Sequence, residues 1–221
     1  MVFVWKNLQI IKQNIKNLQI QLIKQKMSSL PITREQAWEL VKKYNTHEQD
    51  LIHYLESEAV MKELALHLGE DVEYWGMLGL IHDVDWGITK ENVETHLTKM
   101  PEILKNSGFD KEFIENILSH GYGFEELPAL TDKKRTKKIE YALAASETIT
   151  GLIHAYALMR GKKISDMEIS GLKKKFKDKT FAAKVDREVI KEAENLGISL
   201  DEFFKIAIGG IKNIKGDVGL N

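Results

Sequence analysis

The chain of 221 residues contains no cysteine. That absence excludes a disulfide scaffold, a thiolate metal site and a cysteine nucleophile together. It also fits a reducing compartment, so the cytoplasm is the expected location. Only three prolines (Pro31, Pro101, Pro128) and 15 glycines are present, against collagen-like, all-β repeat or low-complexity chains. No glycine-rich phosphate loop, internal repeat or Pro/Ser linker occurs. Sustained period-two alternation is missing, so strands are not expected. Net charge of one sign is lacking too. At −1 overall, the molecule is no polyanion binder, and a nucleic-acid duplex is not an expected partner.

What is present is ordinary globular material, 43% hydrophobic and 29% charged. At this length one core can bury roughly 70% of the unfolded surface. The charge is uneven. Residues 47–126 carry 18 acidic side chains against 5 lysines, and residues 160–184 carry 9 basic against 3 acidic. Two solvated surfaces would explain this. So would a cation-binding region facing a region that binds an anionic ligand.

Residues 1–26 stand apart, with five lysines and no acid. Val4, Leu8, Ile11, Ile15, Leu18 and Leu22 form the seam of an amphipathic helix. Polar residues interrupt every turn, so no membrane span is expected. A secretory signal is not expected either, for want of an apolar core and a cleavage site. Three readings stand: a packing or homodimerisation helix, a basic helix at an anionic lipid surface, or a stretch foreign to the natural protein. The last is slightly favoured, because Met27 before Ser28-Ser29-Leu30-Pro31 resembles a true start. The expected division is residues 1–27 as this helix or extension and 28–221 as a single domain.

After Pro31 helix signals recur. Thr33-Arg-Glu-Gln36 is a capping box opening a helix to about Asn45. A second helix is expected over 48–68, stopped by Gly69, and a third from Asp71 through Ile81. Others are expected near 92–106, 110–120, 133–159, 165–178, 185–196 and 200–213. Ser165-Asp-Met-Glu168 and Ser199-Leu-Asp-Glu202 read as further capping boxes. The expected fold class is all-α, a helical bundle with short loops.

Chemistry enters through polar residues inside apolar segments. His82-Asp83 ends the run Tyr74–Ile81, where a buried carboxylate needs a partner. Neighbours on a helix point about 100° apart, so the two share a site only if the helix ends there or the carboxylate bridges two cations. Residues 141–159 hold a single charged side chain, Glu147, beside Leu143, Ala144, Thr150 and Gly151. An isolated buried carboxylate costs several kcal/mol or protonates, so a cationic partner is expected. His53, His96 and His120 complete the candidates. Histidine and carboxylate without cysteine suit Mn, Fe, Zn, Ni or Co with open positions.

The order His53, His82-Asp83 and a late acid in an apolar helix resembles the HD superfamily of metal-dependent phosphohydrolases. Leu-Ile-His53, Gly79-Leu-Ile-His-Asp83, His96 before Glu102-Ile-Leu, Ile117-Leu-Ser-His120 and Thr150-Gly-Leu-Ile153 resemble one bacterial subfamily of predicted hydrolases. So do Lys173-Lys-Lys-Phe-Lys-Asp-Lys-Thr-Phe-Ala-Ala183 and Asp186-Arg-Glu-Val-Ile190. The resemblance covers about residues 33–214.

It implies an HD-domain helical bundle holding one or two divalent transition metals through His53, His82, Asp83, His96, His120 and Glu147. Asp83 would bridge two metals. The family's late ligand is Asp, and Glu147, one methylene longer, stands in its place. Asp85, two residues after the pair, would orient a ligand histidine or a water, or equally cap the loop into Trp86-Gly87. Lys174, Lys175, Lys179 and Arg187 would neutralise a small phosphorylated substrate. His47, His67 and His154 match no ligand position and read as structural or surface residues. The implied activity is hydrolysis of a phosphomonoester, nucleotide or cyclic nucleotide by a metal-activated water. The alternatives are a di-iron oxygenase of the same superfamily and a non-catalytic helical module that senses a nucleotide or metal.

Overall fold

The computed structural model describes residues 30–221, so the expectations for residues 1–27 lie outside the described residues. Pro31–Asn221 forms one unit. The helices are α1 Arg34–Tyr44, α2 Glu48–Leu68, α3 Val72–Ile81, α4 Trp86–Thr89, α5 Met100–Asn106, α6 Lys111–Leu118, α7 Lys138–Met159, α8 Ile169–Lys177, α9 Arg187–Lys191 and α10 Leu200–Asn213. No β-strand occurs among the described residues, so the fold is all-α.

Local chemistry starts and stops these helices as the sequence predicts in several places. Thr33 and Gln36 form the reciprocal capping box of α1, satisfying amides with no partner within the helix. Asp71 accepts from the Glu73 and Tyr74 amides to open α3, and Gly69 ends α2 in the left-handed conformation at φ 71°. Ser199 accepts from the Glu202 amide to open α10.

Ser165 does not cap α8. The C-terminal residue reaches back, and Asn221 O accepts from the Ile164 and Ser165 amides. With those groups paired, 164–167 forms a turn and α8 begins only at Ile169. The helix expected near 92–106 divides into a 3₁₀ turn at Val93–Thr95 and α5, because Leu97, Lys99 and Met100 give their amides to the Asp85 carboxylate. The helix expected from 133 starts at Lys138, and that expected over 185–196 is α9 followed by a 3₁₀ turn at Glu192–Leu196.

The core lies around α2, which packs against α3, α7 and α10. Tyr54, Met61, Leu64, Leu78, Leu152, Phe203 and Phe204 are fully buried there. The helices approach closely. A Cβ on Gly79 would meet the Ser57 carbonyl oxygen at 2.6 Å, and one on Gly210 the Ala59 carbonyl oxygen at 2.7 Å. Glycine therefore sets the α2–α3 and α2–α10 spacing. Burial on several sides gives α2 no single apolar stripe, and Glu56, Ser57 and Glu58 are as buried as Ala59 and Val60. Among the described residues, no helix is long and apolar enough to cross a membrane.

Candidate metal centre

Helix α3 stops at Ile81, and the turn after it carries the candidate residues His82 and Asp83. Asn45 and Tyr54 hold this turn. Asn45 donates to Val84 O at 3.0 Å and accepts from the Gly87 amide at 2.7 Å. The Tyr54 hydroxyl lies 2.8 Å from Asn45 Oδ1 and 2.9 Å from Asp83 O. Helices α2 and α7 then bring His53 and Glu147, and the segments after α4 and α6 bring His96 and His120.

These six side chains gather into two groups, His53 with His82 and Glu147, and Asp83 with His96 and His120. Asp83 stands between them. Its Oδ2 is 3.5 Å from His82 Nε2, and its Oδ1 is 3.0 Å from His120 Nε2 and 3.2 Å from His96 Nε2. The first of the two alternatives set by the sequence is met, because the helix ends before the pair, and the two carboxylate oxygens face different groups. Glu147 Oε2 lies 4.0 Å from His53 Nε2, and Thr148 donates to its other oxygen.

The histidine orientations follow from what each Nδ1 touches. His82 Nδ1 is 2.9 Å from Gly79 O, and His120 Nδ1 is 2.7 Å from Ile117 O. A carbonyl only accepts, so each Nδ1 carries the proton. His53 Nδ1 is 2.9 Å from Thr150 Oγ1, and that hydroxyl donates to Glu147 O, so it accepts from His53. His96 Nδ1 faces the Asp85 carboxylate at 3.2 Å. Each ring thus has its Nδ1 tied to a supporting group and presents Nε2 to the centre, an arrangement that fixes tautomer and ring angle for metal binding.

Electrostatics sharpen this. Burial lowers the pKa of His53 and takes His82 down to about 3. Both rings are therefore neutral near pH 7, and their bare Nε2 atoms face each other at 3.1 Å. Two lone pairs at that distance repel unless a cation lies near. Asp83 Oδ1 is buried without an aligned hydrogen bond despite its two close imidazoles. Burial alone would raise the Asp83 pKa, but His82, His96 and His120 outweigh it and hold the carboxyl well below its usual range. Burial works against the charge on His96 too, and the Asp83 carboxylate overcomes it to push that pKa up to about 10. For Glu147 burial dominates, raising the pKa to about 7. The neutral imidazoles of His53 and His82, a carboxylate between the two groups and a second acid, with no thiolate, fit a divalent transition metal, which on the far side would take the place of the proton that the Asp83 carboxylate holds on His96.

Residues 50–150 match the family model of the HD domain. This stretch is an HD domain. All six gathered residues lie inside it, as does Asp85. No curated protein and no solved structure gives a match. The resemblance read from the motifs holds at the level of the superfamily, whose HD domains are metal-dependent phosphohydrolases as a class.

Asp85 is fully buried, and besides His96 it holds the amides of Leu97, Lys99 and Met100. It therefore fixes both the ring and the loop carrying the ring. Asp85→Asn should weaken metal binding on the His96 side by about 10- to 100-fold, the usual cost of losing such a support. Metal titration of the variant checks this, and unchanged affinity would remove Asp85 from the centre.

The basic residues fall elsewhere. Arg187 is buried, and its terminal nitrogens donate to the carbonyls of Asp178, Phe181, Ala182 and Val185. Its fork ties down the loop between α8 and α9 and is not free to clamp a phosphate. Lys175 places its ammonium 4.7 Å from the Phe181 ring centre. Lys174 and Lys179 are exposed. None of the four lines the groove that reaches His53.

Sequence reading missed Thr150, Asn45 and Arg135 as supports. Arg135 donates to Ser119 O, His120 O and Tyr122 O while pairing with Glu192, so it fixes the turn that carries His120. In the sequence it ends the run Lys133-Lys134-Arg135, where nothing separates a buried guanidinium from a solvated one.

Proposed function

We propose that the protein is a metal-dependent phosphohydrolase acting on a small phosphoric ester, such as a phosphomonoester, nucleotide or cyclic nucleotide. One observation carries the reading: His82, His96 and His120 turn Nε2 toward the Asp83 carboxylate, whose two oxygens face separate groups, and His53 turns Nε2 toward His82 and Glu147. His53, His82 and Glu147 would hold one divalent ion, His96 and His120 a second, and Asp83 both. Bound there, such ions supply Lewis acidity, acidifying a water as nucleophile and polarising a phosphoryl oxygen.

The chain's own residues do the rest. Thr150, Gly79, Ile117 and Asp85 keep the rings in the binding tautomer. Asn45 and Tyr54 keep the turn at 82–85 from moving. The loop pinned by Arg187 runs beside α7, where a Cβ on Gly151 would stand 3.2 Å from Val185 Cγ2. Lys179 lies on the same loop, beside Lys177, Arg187 and Lys191. Lys174, Lys175 and Lys179 contribute positive potential that attracts an anionic substrate.

The test is phosphate release from these three ester classes, by protein reconstituted with Mn, Fe, Co, Ni or Zn and assayed for bound metal. Turnover with about two ions per chain supports the reading. Oxygen uptake with iron and no phosphate release would favour a di-iron oxygenase instead. Metal and nucleotide binding without turnover under any ion would make the domain a sensor.

Replacing Lys174 and Lys175 together by Ala should raise KM about 3- to 5-fold at low salt and spare metal content, the scale of exposed charge contacts. Unchanged kinetics at low salt, where such effects are largest, would leave both on a solvated face.

A further inference from the structure

A groove of about 260 Å³ lies between α2 and α7, lined at one end by His53 of the candidate centre and at the other by a second pair of titratable groups, Glu56 and His154. The two helices pair across it in successive rungs. His53 meets Thr150, and one helical turn further on Glu56 meets His154, with Nδ1 2.7 Å from Glu56 Oε1. The rungs are about 5–6 Å apart along the helices, at 1.5 Å per residue. Ile52, Ala155 and Leu158 give the groove an apolar wall.

The second rung is unusual for a core contact. The Glu56 side chain is 2% exposed, and His154 is its hydrogen-bonding partner. A buried ion pair contributes little or no net stability compared with well-packed apolar residues. Packing therefore gives no reason for this pair, whereas a bound anion would. Among the described residues His154 Nε2 makes no hydrogen bond, and the ring lines the groove. The hydrogen bond to Glu56 raises the His154 pKa, while burial raises that of Glu56 and the His154 contact opposes that rise, so the pairing rests on the geometry of the contact and not on its titration.

We infer that His154, aligned by Glu56, receives a second anionic group of the substrate, making the protein selective for phosphoric esters that carry another phosphate or carboxylate beyond the reacting phosphoryl. This rests on the phosphohydrolase reading for the first phosphoryl group. The charged His154 uses Nδ1–H to hold Glu56 and offers Nε2–H to the ligand. It is a positioning residue for the far end of the substrate and takes no part in the bond that breaks. Gly151 lies between the rungs and adds no side chain to the groove.

The experiment compares a hexose bisphosphate with the matching hexose monophosphate, using the metal-loaded full chain. The native protein should show a KM about 10-fold lower for the bisphosphate, the scale of one hydrogen bond to a charged group. His154→Gln should abolish that preference by raising KM for the bisphosphate alone, with kcat on both substrates kept within about twofold. His154→Arg, which restores a cation, should keep the preference; a merely structural histidine would give no such rescue. The same KM ratio in native and His154→Gln protein would overturn the proposal.

Calorimetric binding of the hexose bisphosphate separates this idea from the hydrolase reading. If neither ester is hydrolysed, the hydrolase reading fails alone. Binding weakened about 10-fold by His154→Gln still supports the anion site, whereas equal binding, or none by the native protein, overturns it. If His154→Gln does not fold, Glu56→Gln with His154→Gln removes the buried charge together with its partner and carries the same test.

Discussion

Asp83→Ala should strip metal from both groups and leave no phosphate release above background, while the helical signal stays. The two oxygens of Asp83 face His82 on one side and His96 and His120 on the other. Deleting the side chain takes a ligand from each ion and the negative charge that lets two cations sit close together. Losing a mere support costs roughly 10- to 100-fold in metal affinity, and a shared ligand should cost more. His120→Ala is the contrast. It touches one group only, so about half the bound metal should remain. Elemental analysis of both variants, purified without chelators, reads this directly. An Asp83→Ala protein that keeps full metal and turnover would sink the site, and equal losses in the two variants would argue against a bridge.

Stability should follow the metal. An ion that binds only the folded chain stabilises it by about 2.7 kcal/mol at one hundred times its Kd. Chelation should therefore lower the Tm of the native protein and leave the Tm of Asp83→Ala nearly unchanged. A native Tm indifferent to chelator and added metal would mean that the imidazoles are paired by something other than a cation.

The legible parts of this structure are those set by contacts close in sequence. Helix α2 was readable from Glu48 to Leu68 because Gly69 ends it, and α10 because Ser199 opens it. The break before α5 was not readable, since it depends on Asp85 drawing three amides from 12 to 15 residues away. Ser165 misled because Asn221, at the far end of the chain, already pairs its amide. The site divides the same way. The six gathered residues are legible from motif order, which carries no distances. Their supports were invisible, because Thr150 reaches His53 across 97 positions. His154 had no motif to mark it, and Glu56 joins it across 98 positions. The role of Arg187 is illegible in the sequence, because an arginine beside a lysine run looks the same whether its fork faces solvent or four carbonyls.

Glu147 gives the second large effect, and its sign reverses with metal. Burial lifts its pKa from 4.5 to about 7. A carboxyl with a raised folded-state pKa favours the folded state in its neutral form. In chelated protein, stability should therefore fall as pH rises from about 4.5 through 7, by up to about 3 kcal/mol once the group is fully ionised. Glu147→Gln is neutral at every pH and should abolish that fall. Chelated Glu147→Gln protein should then melt higher than native at pH 8 and nearly the same at pH 5. With metal present the order should invert. The native carboxylate would hold an ion beside His53 and His82, and the amide would bind it at least about 10-fold more weakly. Glu147→Asp should keep metal, since it restores the shorter acid of the family pattern. Melting curves at both pH values, with chelator and with metal, separate the cases. If Glu147→Gln raises Tm equally with and without metal and leaves stoichiometry unchanged, Glu147 is a strained buried acid outside the metal centre. Loss of one ion together with the inverted Tm order identifies it as a ligand.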